Sequence, residues 1–167
     1  RGCPFRCEFC LSSIDPKVRP FAIDWFLGEM ENLWQRGART FKFVDRTFNS
    51  NPATAERILD YFLAKLPPFH VHFEVIPDHF PEAIKERLAK FPAGSLQLEV
   101  GIQTLEAQTA ANISRRLDFG RIRDNLAFLE RETTAHLHVD LIVGLPGESI
   151  EQFGRNLNTL MSLAQGE

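Results

Sequence analysis

The 167 residues carry 19 Lys and Arg against 22 Asp and Glu, a net charge of −3, with 44% hydrophobic and 25% charged residues. This is the length of one domain, able to bury about 70% of its unfolded surface without disulfide staples, and its composition is not that of a disordered chain. The acidic balance argues against a dedicated nucleic-acid binder, no apolar run approaches the roughly 20 residues of a membrane helix, and no signal peptide is visible.

In chain order the first feature is a cysteine cluster. All three cysteines, Cys3, Cys7 and Cys10, fall within eight residues. An odd, tightly spaced set is a poor disulfide framework. It suits a reducing cytoplasm, where such thiols bind metal or react. Ile23 to Gln35 then reads as a helix, with Ile23, Phe26, Leu27, Met30, Leu33 and Trp34 on one face and Gly37 as its stop. Thr40 to Val44 is a short β-rich run. Asn51-Pro52 opens a second helix whose buried stripe is Ile58, Leu59, Phe62, Leu63 and Leu66, and Pro67-Pro68 ends it. His70 to Ile76 alternates, with Val71, Phe73 and Val75 against His72 and Glu74, as a strand does. A helix over Pro81 to Phe91, a strand over Leu96 to Ile102 and a loop over Thr104 to Arg116 follow. A helix over Phe119 to Arg131, a strand over Leu137 to Val143 and a last helix over Ser149 to Leu163, capped by Ser149, complete the pattern. Fifteen Phe against one Tyr mark the aromatics as packing residues.

Strands alternating with helices predict an α/β fold with a parallel sheet and outer helices. Four strands are too few for a closed eightfold barrel. The pattern therefore predicts a partial (β/α) barrel or an open doubly wound sheet. No Gly-rich phosphate loop follows the first strand, so a nucleotide-binding Rossmann or P-loop reading is weak.

Cys3-Pro-Phe-Arg-Cys7-Glu-Phe-Cys10 lets a short loop wrap three thiolates around one small centre. Thiolates select zinc, Cu(I) or iron–sulfur clusters. A 4Fe–4S cluster takes four cysteine ligands, and the chain has no fourth cysteine. One iron of such a cluster would be left open to a substrate or cofactor. The alternative is a structural or interaction module built on a Cys3His zinc site that recruits His70, His72, His79, His136 or His138. A simple electron carrier fits poorly with the long βα body.

The cysteine motif, with aromatic Phe9 before its last Cys, resembles the signature of the radical SAM enzymes. The resemblance runs along essentially the whole chain. It implies a radical SAM core over residues 1–167, cut just before or within its first strand and again after its fifth helix. It implies a 4Fe–4S cluster on Cys3, Cys7 and Cys10, with S-adenosylmethionine (SAM) on the open iron. Reductive cleavage of SAM would yield a 5′-deoxyadenosyl radical acting on an unknown substrate. The stretch Phe43 to Phe48 stands where the family binds the methionine amino group; it lacks the common Gly-Gly-Glu, and Asp45 is the candidate there. Glu74 matches an acidic residue near the SAM ribose. Glu99-Val-Gly-Ile-Gln103-Thr104 resembles the family's Gly-x-Gln-Ser stretch, and Arg115, twelve residues on, matches an Arg that pairs with the SAM carboxylate. Asp140 to Glu148, with Ile142 and Gly144, resembles the adenine-side strand and turn.

The motif from Gly2 to Ser13, followed by Phe43 to Asn49, also looks like a subgroup that carries an N-terminal cobalamin-binding domain. That resemblance implies such a domain upstream, and methyl transfer as the outcome. An electron donor such as flavodoxin or ferredoxin is implied as partner, with no membrane.

Overall fold

The computed structural model describes residues 2–163. Strands β1 (Thr40–Lys42), β2 (His70–Val75), β3 (Leu96–Gln103) and β4 (His136–Leu141) form one sheet in chain order. Every neighbouring pair is parallel. Helices α1 (Ile23–Gln35), α2 (Pro52–Leu63), α3 (Glu82–Leu88), α4 (Ala107–Asn112), α5 (Phe119–Glu132) and α6 (Ile150–Leu163) flank them. The expected α/β architecture, with parallel strands and outer helices, is present.

Local chemistry sets the helix starts. Asn51 Oδ1 accepts from the Thr54 amide at 3.1 Å, and Pro52 supplies a preset φ at the first helical position. Asp118 does the same for α5 through the Arg121 amide at 3.0 Å. At α6, Ser149 Oγ accepts from the Gln152 amide while Gln152 Oε1 accepts from the Ser149 amide, a reciprocal capping box.

The strand alternation becomes two unlike faces. Val71, Phe73 and Val75 of β2, with Leu96, Leu98, Val100 and Ile102 of β3, are fully or nearly fully buried in the core shared with α2, α3 and α5. Phenylalanines fill this layer: Phe48 stacks on Phe73 with centroids 3.8 Å apart, and Phe43 meets Phe73 at 4.6 Å. The opposite face is polar. There Glu74, Glu99 and His138 stand in one register row, and His72, Gln97 and His136 in the next. A complete barrel normally packs its inward face with apolar branched side chains; this one carries ionisable groups.

The structure departs from expectation in three places. The Thr104–Arg116 loop contains α4, a six-residue helix that buries only Thr109 and Ala110 and so has no readable apolar stripe. Leu66 is 84% exposed, because α2 ends at Leu63 and helical spacing stops applying. Leu33 is also exposed rather than packed with the rest of the α1 face. No helix among the described residues is long and apolar enough to cross a membrane.

Candidate active site

A cleft of about 410 Å³ opens over the C-terminal ends of β2, β3 and β4. Ligands of parallel α/β barrels bind at this rim. One wall is the cysteine loop: Cys3, Cys7, Cys10 and Phe9 all line the cleft. Cys3 and Cys7 are buried and Cys10 is partly exposed. The loop is pinned to the segment after α4. The Glu8 amide donates to the Ile113 carbonyl at 3.1 Å, and Ser114 Oγ donates to Glu8 Oε1 at 2.6 Å. Gly2, at φ +107°, lies against the Lys17 carbonyl so closely that a Cβ would collide with backbone.

The Cys3 thiol is electrostatically frustrated. Burial pushes the Cys3 thiol pKa up, and the nearby Cys7 and Cys10 thiolates push it further, against hydrogen bonds from the Phe5 amide and Thr47 hydroxyl. A cationic centre held by all three relieves that repulsion, since metal ligation deprotonates thiols. The donor set therefore fits a thiolate-bound cluster. That fit rests on the chemistry of the three thiols: as placed here, neither they nor any other three His, Cys, Asp or Glu among the described residues form a group that could hold a single metal ion. No histidine lines the cleft, so a Cys3His site has no fourth ligand beside these thiols.

The facing wall comes from the strand ends. Glu74, Gln103, Arg115 and Asp140 line the cleft with the cysteines. Glu74 pairs with Arg46 at 3.5 Å, yet burial still holds its carboxyl above the ordinary value of 4.5. Burial raises Asp140 too, and the Glu99 carboxylate adds to it. Arg115 donates to the Gly101 carbonyl and approaches Cys7 Sγ at 3.7 Å, while its buried Nε has no partner. It thus reaches the thiol loop and the strand rim together.

Gln103 has φ +74°, rare for a residue with a side chain, beside a register shift in the β3–β4 ladder. Its amide folds back over Gly101, where a Cβ would stand 2.6 Å from Nε2. Its carbonyl accepts from the Ile142 amide at 3.0 Å. Ile142 and Gly144 themselves lie in the turn after β4, outside the cleft lining, as Asp45 does after β1. In that second turn Arg46 and Thr47 reach the cleft instead.

Two supports were not legible in the sequence. Asn49, fully buried, donates to the carbonyls of Ile76 (2.9 Å) and His79 (2.6 Å) and accepts from the Ile76 amide (2.7 Å). It clamps the turn after β1 to the turn after β2. Glu148 Oε1 accepts from Thr104 Oγ1 (2.8 Å) and Asn156 Nδ2 (2.9 Å), tying the β3 end, the Gly144–Glu148 turn and α6 together. Both use Asn or Glu against groups distant in sequence, which no short motif reveals.

A family model described as the Radical SAM superfamily matches residues 1–160. The ribosomal protein uS12 methylthiotransferase RimO of Pelobacter propionicus is 28% identical over 168 residues, covering 91% of this chain and 36% of that protein. The structure of the radical S-adenosylmethionine methyltransferase TsrM from Kitasatospora setae, with cobalamin and a [4Fe-4S] cluster bound, superposes at TM-score 0.80. It is 22% identical over 97% of this chain and 33% of its own. The cobalamin-dependent S-adenosylmethionine radical enzyme OxsB superposes at 0.72 and 18% identity, over 96% of this chain and 25% of its own. The chain thus spans between a quarter and about a third of the length of these relatives. The fold, the shared cleft and the family match agree: this chain belongs to the Radical SAM superfamily, enzymes whose cofactors are a 4Fe–4S cluster and SAM.

Proposed function

We propose that Cys3, Cys7 and Cys10 hold a 4Fe–4S cluster and that the facing strand ends hold SAM against its open iron. The observation that carries this reading is the single cleft. It brings the three thiols together with Gln103, Arg115, Glu74 and Asp140, which lie between 64 and 137 positions from Cys10 and Cys3 respectively by sequence number. When bound and reduced, the cluster supplies the electron that cleaves a SAM carbon–sulfur bond.

The chain's own residues bind and orient. The Arg115 fork suits the SAM carboxylate. Glu74 and Gln103 offer acceptors to ribose hydroxyls and the amino group, and Thr47 rather than Asp45 reaches the cleft from the turn after β1. Asp140 is the cleft residue on the adenine side, with Ile142 and Gly144 in the turn behind it. Phe9 covers the cluster edge and limits water. Thr47 and the Phe5 amide donate to Cys3, which steadies its thiolate. The likeness to TsrM, a methyltransferase solved with cobalamin, supports methyl transfer as the finer reading, and the likeness to OxsB, also solved with cobalamin, supports cobalamin from a separate domain. A flavodoxin- or ferredoxin-type donor would deliver the electron.

The test is anaerobic reconstitution with iron and sulfide, followed by reduction with SAM present. Wild type should take up about four irons per chain and consume SAM. Cys7→Ala should lose iron and SAM turnover together. A Cys7→Ala protein with full iron and turnover overturns the proposal, as does a colourless wild type that retains one zinc and leaves SAM intact.

A further inference from the structure

The polar face below the SAM-proximal rim holds a second set of groups. Glu99 lies in mid-β3, beside Glu74 on one strand and His138 on the other, and lines the cleft. Its Oε2 stands 3.1 Å from His72 Nε2. His72 is only 7% exposed, and its Nε2 is buried without a hydrogen bond, because the approach to Glu99 is off the bonding direction. A buried imidazole nitrogen left unsatisfied is costly. Glu99, itself a cleft residue, is the carboxylate within reach of that nitrogen.

Charge singles out the same place. Glu74 has Arg46 as counter-ion at 3.5 Å. Among the described residues no Lys or Arg makes an ion pair with Glu99 or Asp140, and His72 is the one ion-pair partner of Glu99. Arg46, Arg115 and Arg116 line the same cleft, yet none of them forms an ion pair with either of these two carboxylates. Above them Gln103 closes the space over Gly101 with its amide.

We propose that Glu99, oriented by His72, is the substrate-facing acceptor of this site, and that the substrate presents a cationic nitrogen or N–H donor to it. This deepens the SAM-enzyme reading and rests on it. Glu99 touches the substrate; His72 is a positioning residue that acts through Glu99. An anionic substrate group is disfavoured at the same spot by the two carboxylates.

Benzylammonium and its near-isostere benzoate serve as probes, titrated by ligand-observed NMR into the cluster-loaded protein with SAM bound. Benzylammonium should bind and benzoate should not. Glu99→Gln should weaken benzylammonium by about tenfold, the usual scale of one charge-assisted hydrogen bond. His72→Phe should weaken it as well, and His72→Gln, which keeps an N–H donor, should restore most of the loss. Equal binding of benzoate, or unchanged affinity in Glu99→Gln, overturns the proposal. So does benzylammonium binding that is seen in the SAM-free, cluster-loaded protein and lost when SAM is added, which would assign Glu99 to the SAM site. Iron content and SAM turnover, measured on the same wild-type preparation, report separately on the SAM-enzyme reading.

Discussion

Replacing Asn49 by Ala tests whether the cleft rim is held by one side chain. The substitution removes three hydrogen bonds, two to carbonyls and one from the Ile76 amide, at 2.6–2.9 Å. At about 1 kcal/mol net per bond, the loss is about 3 kcal/mol. Groups left buried without partners raise it further. For a domain of this length that corresponds to a fall in Tm of about 6–12 °C. Urea denaturation should show a lower midpoint with an unchanged slope. Asn49→Asp separates the contributions. It keeps an acceptor for the Ile76 amide but turns a carboxylate toward two carbonyls, so it should be at least as unstable at neutral pH. Acid should recover part of the loss, because the protonated carboxyl regains a donor. An Asn49→Ala midpoint within about 1 kcal/mol of wild type would refute the reasoning, since it would mean water replaces the clamp at no cost.

Three further outcomes follow from the site. Gly101→Ala displaces the end of a flexible side chain rather than backbone. Its Tm should stay close to wild type while SAM affinity, read by calorimetry, falls about tenfold through loss of the Gln103 position; unchanged affinity would detach Gln103 from SAM. Gly2→Ala meets backbone at a positive φ, so reconstituted iron content should drop although all three cysteines remain; full loading would contradict this. Glu74 has a raised pKa in the folded state. Its stabilising effect is present below about pH 4 and is lost as pH rises through the raised value. Glu74→Gln should therefore be more stable than wild type at pH 7, with the gap closing toward pH 4; a gap that widens in acid would reverse the assignment.

Much of the fold was legible because β2 and β3 alternate so plainly. Val71, Phe73 and Val75 against His72 and Glu74 announce one apolar face and one polar face, and the polar face carries the cleft. The cysteine spacing and the positions of Glu74, Gln103, Arg115 and Asp140 were likewise readable, and all line that cleft. What was not readable depends on register and backbone. The turn after β1 presents Arg46 and Thr47 to the cleft, where Asp45 was expected. The left-handed Gln103 follows from a ladder shift that no residue type marks. Asn49 finds partners 27 and 30 residues away. The short α4 lacks the two turns that a 3.6-residue period needs to show.

Three thiolates would leave one iron of a cluster open to SAM. Mössbauer spectroscopy of the anaerobically reconstituted, iron-57-labelled protein, with and without SAM, tests it most directly. SAM addition should shift about one iron in four to a distinct, higher-coordinate site and leave the rest unchanged. Spectra that are identical with and without SAM, from a protein shown to carry a full cluster, would contradict it.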